Sequence, residues 1–340
     1  MKTILNSKYI IILPILILNI ISLIYLYNTT YFTKHLIFLI ISIFILIITS
    51  KINFNFIKKY IKLIYITSII LLLVVLIFGK EINGSKAWLK FFGFSFQPSE
   101  LAKLALILYT AILIQNNNRI TKPFILFIIP SILTFLEPDT GAILIYFIIF
   151  ISILKFIKIN KKLLIIISLS LFLIILIHIC IYFTNPNILI NIYGPKLFYR
   201  IDRLISFQNQ NNIQNINSLI SIGSGKLLYI PENHNDFIFA SIISKYSPLS
   251  FILIIISYIT IFLYYIKNIT NKKDISNTIN FIILNMLLFQ VFYNILMNLS
   301  LVPIIGIPLP FLSYGGSYLI TLYTLIGISI NLNSSNNKVV

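Results

Sequence analysis

Charge is scarce in this chain. Asp, Glu, Lys and Arg make up only 10% of its 340 residues, where a soluble domain carries about 25%. Acids are scarcest, eight against 26 Lys+Arg. With 59% hydrophobic residues, an ordinary soluble enzyme is excluded, and so is a disordered chain. Cys180 is the one cysteine, so no disulfide forms within the chain. Neither C-x-x-C nor H-E-x-x-H occurs, which argues against a thiolate or zincin-type metal site. Tryptophan is represented by Trp88 alone.

What the chain has instead is long apolar runs. A membrane-spanning helix needs about 20 apolar residues. The runs predict helices near 9–27, 35–49, 61–78, 99–114, 123–136, 141–154, 163–183, 248–266, 277–298 and 313–331. The expected fold is therefore an all-α polytopic membrane protein of about ten spans, one membrane domain over residues 1–340. A long outer loop at about 184–247 joins helices 7 and 8, and a polar tail covers 332–340. Lys2 and Lys8 precede the first run, but no small-residue cleavage site follows it, so it reads as a retained helix.

The net charge of +18 does not mark a nucleic-acid binder, because the basic residues fall between apolar runs. With both termini in the cytoplasm, cytoplasmic segments hold 16 of the 26 Lys+Arg, as the positive-inside rule requires. Seven of the eight acids then lie on or near the outer side, with Asp274 the exception.

Four segments concentrate the unusual residues. The first, Gly79 to Lys103, carries Lys86, Trp88, Glu100 and Lys103. Trp88 suits an interfacial belt. Glu100 and Lys103 share a helix face at i,i+3, either as a buried pair that positions helices or as groups near substrate. The second, Glu137-Pro138-Asp139-Thr140-Gly141, reads as a tight turn. The third is the long loop, with Arg200, Arg203, the run Gly223-Ser224-Gly225, and Glu232, His234 and Asp236. The glycine run is a flexible turn or a phosphate cradle. Asp236 precedes the apolar run Phe237–Ala240, as a helix N-cap or as a boundary carboxylate tuned into a general base. The fourth is PIIGIPLPFLSYGGS at 303–317, containing Ser313. Three prolines and three glycines there exclude a regular helix. Irregular backbone at membrane depth lines a cavity or forms a re-entrant plug.

These segments, in this order, resemble the SEDS family of shape, elongation, division and sporulation proteins. FQPSELAK at 96–103, EPDTG at 137–141, YRIDRLISF at 199–207, NSLISIGSG at 217–225, IPENHNDFIFA at 230–240 and the 303–317 run carry the resemblance. It implies ten transmembrane helices in the bacterial cytoplasmic membrane. It also implies a peptidoglycan glycosyltransferase that polymerises lipid II into β-1,4 strands at the outer face, beside a class B penicillin-binding transpeptidase and other divisome or elongasome proteins. The family's essential aspartate carries over to Asp236 as general base. Arg200 and Arg203, with Lys86 or a divalent cation (Mg or Mn) behind them, would hold the diphosphate. Trp88, Glu100, Lys103, Glu232, His234 and Ser313 would support the site. YRIDRLISF leans towards the division-type members.

The chain departs from the family pattern at four places. Ala87 replaces an arginine, about a dozen residues are missing between Gly225 and Ile230, and Asn235 replaces a threonine. Ser244-Lys245-Tyr246-Ser247 stands where the family has Glu-Glu-Leu-Gly, losing two carboxylates and gaining a cation. These departures keep open a non-catalytic scaffold that recruits the transpeptidase. A lipid II flippase is a further reading, although the acids lie at one side of the membrane rather than at its centre.

Overall fold

The structure, a computed structural model, describes residues 10–82, 85–91, 94–116, 120–157, 176–177, 180–192, 194, 198, 213–226, 228–270 and 274–336. The helices are α1 (Ile12–Leu26), α2 (Phe32–Thr49), α3 (Phe54–Phe78), α4 (Pro98–Asn116), α5 (Thr121–Leu136) and α6 (Thr140–Leu154). They continue with α7 (Ile213–Ser224), α8 (Ile238–Asn268), α9 (Ile275–Asn298) and α10 (Gly316–Asn336). Five contain stretches long and apolar enough to cross a membrane, and α1, α5 and α6 are shorter apolar helices. Ile, Leu and Phe side chains on α1, α2, α3 and α8 are exposed, as expected where the solvent is lipid. The chain is a multi-pass membrane protein. The predicted span at 163–183 lies mostly outside the described residues.

Close helix contacts depend on small residues. A side chain on Gly327 of α10 would collide with Thr49 Oγ1 and meet the Leu46 carbonyl at 2.8 Å, so glycine there lets α2 approach. Gly316 likewise lies against the Phe38 ring. Asn331 of α10 donates to the carbonyls of Thr49 and Ile52, tying the same pair at the far end.

Three expectations are corrected. Residues 80–96 form a small antiparallel sheet of β1 (Lys80–Ile82), β2 (Ser85–Phe91) and β3 (Phe94–Phe96). Lys80 pairs with Trp88, and Leu89 with Phe96. The long loop ends at Phe237, because α8 begins ten residues before 248 and carries Pro248 within it. Part of that loop is helical: residues 186–192 and all of α7. Finally, α10 runs past 331 to Asn336. Its last turns are held because Asn333 Oδ1 accepts from Ser276 Oγ at 2.9 Å and Asn280 Nδ2 at 2.7 Å on α9.

The irregular segment at 301–315 is enclosed by protein. Ile307, Leu309, Phe311 and Leu312 are fully buried. Its carbonyls, which no helix satisfies, receive side-chain donors from four helices. Ser22 Oγ donates to Leu312 O at 2.6 Å and Tyr258 Oη to Pro310 O at 2.6 Å. Asn294 Nδ2 donates to Ile307 O at 2.8 Å and Tyr318 Oη to Pro308 O at 3.3 Å. A buried backbone without such partners would cost several kcal/mol per group in an apolar medium.

Candidate functional site

The α1–α2 connection, the C-terminal end of α9 and the segment 303–317 meet around the segment 230–237. Contacts with α9 and with 303–317 fix that segment. Three consecutive carbonyls are held. His234 O accepts from Tyr314 N at 3.0 Å, Asn235 O from Ser313 Oγ at 2.7 Å, and Asp236 O from Asn294 Nδ2 at 2.9 Å and Asn298 Nδ2 at 3.1 Å. Glu232 starts the turn with φ +58, and its carbonyl accepts from the amides of Asn235 and Phe237. A left-handed glutamate is uncommon. Here α9 and the 303–317 segment hold the backbone that requires it.

Asp236 is not the helix cap. The N-cap position of α8 is Phe237, which makes no side-chain capping bond. Asn298 does that work from α9: its Oδ1 accepts from Ala240 N at 3.1 Å while its Nδ2 holds Asp236 O. The half-buried Asp236 carboxylate points instead towards Gly306. A Cβ built on Gly306 would lie 3.5 Å from Asp236 Oδ2. Gly306 has φ +78, which favours glycine on its own account.

Aromatic rings pack on His234, two residues before Asp236. His234 stacks on Tyr31 of the α1–α2 connection, with centroids 3.8 Å apart and planes 10° from parallel. Tyr314 lies edge-on at 5.8 Å. His234 Nε2 is 3.6 Å from Glu232 Oε2. Burial pulls the His234 pKa below its ordinary value against the opposing pull of Glu232, so the ring is neutral at neutral pH.

A second polar cluster lies between α4, α5 and α6. Glu100 and Lys103 form a buried ion pair at 2.6 Å, with side chains 8% and 1% exposed. The Lys103 ammonium also lies 5.4 Å from the Tyr318 ring centroid on α10. Asp139 caps α6: Oδ1 accepts from Ala142 N at 3.1 Å, and Oδ2 from Gln97 Nε2 at 2.7 Å. The turn reading of 137–141 therefore holds. Gly141 of that turn lies against the carbonyls of Gly306 and Ile305; a Cβ there would meet them at 3.2 and 3.3 Å. Glu137 is fully buried, with neither carboxyl oxygen hydrogen-bonded among the described residues. Burial, and then the Asp139 charge, pushes its pKa up to about 9.

The remaining predicted residues separate. Lys86 Nζ donates to the carbonyls of Leu76 and Ile77, both at 2.8 Å, and so caps the C-terminal end of α3. Trp88 is half-buried in β2. Gly223 and Ser224 end α7, and Gly225 follows in the left-handed conformation with its amide on Ser221 O. The run is a helix C-terminus, whose partial negative charge disfavours phosphate, so the cradle reading is set aside. Arg200 and Arg203 lie outside the described residues. Among the described residues, no group of three or more His, Cys, Asp or Glu is arranged to hold a metal ion.

The sequence reading missed Asn294 and Asn298. With Gln290 they form an i, i+4, i+8 stripe on the more apolar second half of α9, and that spacing was the available signal. Tyr31 and Tyr314 carried no comparable mark among 20 tyrosines.

A family model described as "Cell cycle protein" (FTSW_RODA_SPOVE) matches residues 3–338. A probable peptidoglycan glycosyltransferase FtsW of Wigglesworthia glossinidia brevipalpis is 31% identical, over 88% of this chain and 83% of the relative. That of Buchnera aphidicola subsp. Baizongia pistaciae is 34% identical, over 90% and 85%. Among solved structures, a peptidoglycan synthase complex that coordinates polymerisation and crosslinking contains a chain superposing with a TM-score of 0.78 at 22% identity, covering 96% of this chain and 97% of the other. The rod shape determining protein RodA of Thermus thermophilus gives 0.70 at 20%, covering 96% of each. At those identities the likeness is one of fold.

Proposed function

We infer the activity from a premise now in hand: the chain belongs to the cell cycle protein family of FtsW, RodA and SpoVE. It is a peptidoglycan glycosyltransferase, as its FtsW relatives are named. Its substrate is lipid II, a disaccharide on an undecaprenyl diphosphate, taken at the outer face of the cytoplasmic membrane with both chain termini inside. The single observation that carries a catalytic reading is the exchange at the start of α8. Asn298 caps the helix, so the Asp236 carboxylate is not the cap and turns towards Gly306.

The chemistry follows from that placement. A sugar hydroxyl of one substrate attacks the anomeric carbon of another. Asp236 takes the hydroxyl proton as the C–O bond forms, and the bond from the anomeric carbon to the diphosphate breaks with inversion. The diphosphate leaves with the bonding pair, giving a β-1,4 link. A positioned base of this kind contributes roughly 10²–10⁴-fold. Arg200 and Arg203 are assigned to the diphosphate, since guanidinium groups bind phosphate through two parallel bonds. Lys86, engaged by α3, is left out of that role. His234 and Ser313 hold Asp236 through backbone and ring contacts, and Glu100 with Lys103 fastens α4 to α10 behind it. A class B penicillin-binding transpeptidase is the partner, by analogy with the synthase complex that shares the fold.

A non-catalytic scaffold remains the second reading, favoured by the shortened stretch after Gly225. The two separate on one experiment. The purified chain with its transpeptidase, given labelled lipid II, is expected to yield a ladder of β-1,4 glycan strands. A folded complex that yields none leaves the scaffold.

A further inference from the structure

The departure at Ser244-Lys245-Tyr246-Ser247 has no part in the reaction above, yet the structure puts its Lys245 and Tyr246 on a groove beside α1. Leu23, Ile24, Tyr27, Asn28, Phe32, Lys245 and Tyr246 line an open groove of about 390 Å³ between the end of α1, the start of α2 and α8. That is within the range of small-ligand sites. The Lys245 ammonium lies 5.1 Å from the Tyr246 ring centroid and 5.5 Å from that of Tyr25. These distances suit cation–π contacts that set where the charge sits. Tyr246 Oη donates to Ile24 O at 3.0 Å, fastening that ring to the last turn of α1. Among the described residues no acid pairs with Lys245.

The level of the pocket defines the ligand. The apolar membrane stretch of α8 opens at Leu249. Lys245 precedes it by four residues, about 6 Å along a helix, at headgroup height. Towards the hydrocarbon the flanks are apolar and exposed: Ile20 and Ile24 on α1, and Leu249, Ile252 and Ile256 on α8. A lone cation with amide and phenol donors above apolar flanks suits an anion on a hydrocarbon chain. A lysine that merely snorkels to the interface needs no such placement between two tyrosine rings.

We propose that Lys245, Asn28 and Tyr27 form a binding site for a lipid phosphate. The headgroup sits on the ammonium, and the chain lies along the cleft between α1 and α8. Two lipids carry this chemistry, an anionic phospholipid of the bilayer and a polyprenyl phosphate. The site shares no residue with the machinery assigned around Asp236 and does not depend on the glycosyltransferase reading.

The test is native mass spectrometry of the full chain released from phosphatidylcholine nanodiscs. One arm contains a minor fraction of phosphatidylglycerol, the other undecaprenyl phosphate. The wild-type chain and Lys245→Arg retain the anionic lipid in at least one arm, and the arm that does so identifies the source. Lys245→Gln is expected to lose retention about fivefold, the scale of one interfacial cation. Lys34→Gln, an exposed lysine at the same end, does not lose it. Thermal midpoints matched to wild type establish that the variants are folded. Equal retention by wild type and Lys245→Gln, or none by wild type in either arm, overturns the site.

Discussion

Glu137 and Asp236 show how differently two carboxylates are used at one end of this bundle. Glu137 is sealed beneath a turn and holds its proton up to about pH 9. The consequence for stability has a definite sign. Below a pH of about 4.5 the folded and unfolded chains both carry the proton. Between about 4.5 and about 9 only the folded chain keeps it, so stability falls as pH rises through that window. Glu137→Gln removes the titration and nearly preserves the shape. Its thermal midpoint is expected to fall less than that of wild type between about pH 5 and pH 9. Parallel curves for the two would show that Glu137 does not titrate there. The ion pair of Glu100 and Lys103 makes a second residue-scale prediction. Lys103→Met leaves a buried carboxylate without its cation and is expected to cost about 3–5 kcal/mol. Adding Glu100→Gln should recover most of it, which a thermal double-mutant cycle will read.

At the scale of elements, Asp236 belongs to a loop but depends on helices. α9 supplies Asn294 and Asn298, the 301–315 segment supplies Ser313 and Gly306, and the 137–141 turn packs on Gly306 through Gly141. Asn298→Ala removes a cap worth about 1 kcal/mol and also frees Asp236 O. Its thermal midpoint is expected to fall modestly. Polymer turnover should fall by about tenfold to hundredfold, the usual penalty for a misplaced reacting group. A loss of turnover no larger than the loss of folded protein would remove the positioning role. Asp236 was legible in the sequence because a carboxylate before an apolar run is unusual and sits within a long motif. Asn298 was not, because its value lies in reaching another helix's first turn, 58 positions away. The start of α8 was misplaced for a related reason. Pro248 is a break signal, but core packing of Ile238, Phe239 and Ile242 before it and of Ile254 and Tyr258 after it keeps the helix going on both sides.

For the whole molecule, hydrophobic runs and basic clusters carried most of the architecture, since the spans need only apolar length. The small sheet within 80–96 escaped notice because its three strands are short and carry little alternation. Lys86 had read as a phosphate ligand by charge alone; its place beside α3 gives it a structural task. The irregular 303–317 run was correctly excluded from helix, but only the donors around it decide between a lined cavity and a packed re-entrant segment. A fold held this way makes the reaction a property of the assembled bundle. The decisive comparison is therefore polymerisation of labelled lipid II by the intact chain with its transpeptidase, wild type against Asp236→Asn. Glycan strands from wild type, with a loss of at least about a hundredfold in the folded variant, are the expected result. Strands formed equally by both would contradict the assignment of Asp236 as the base.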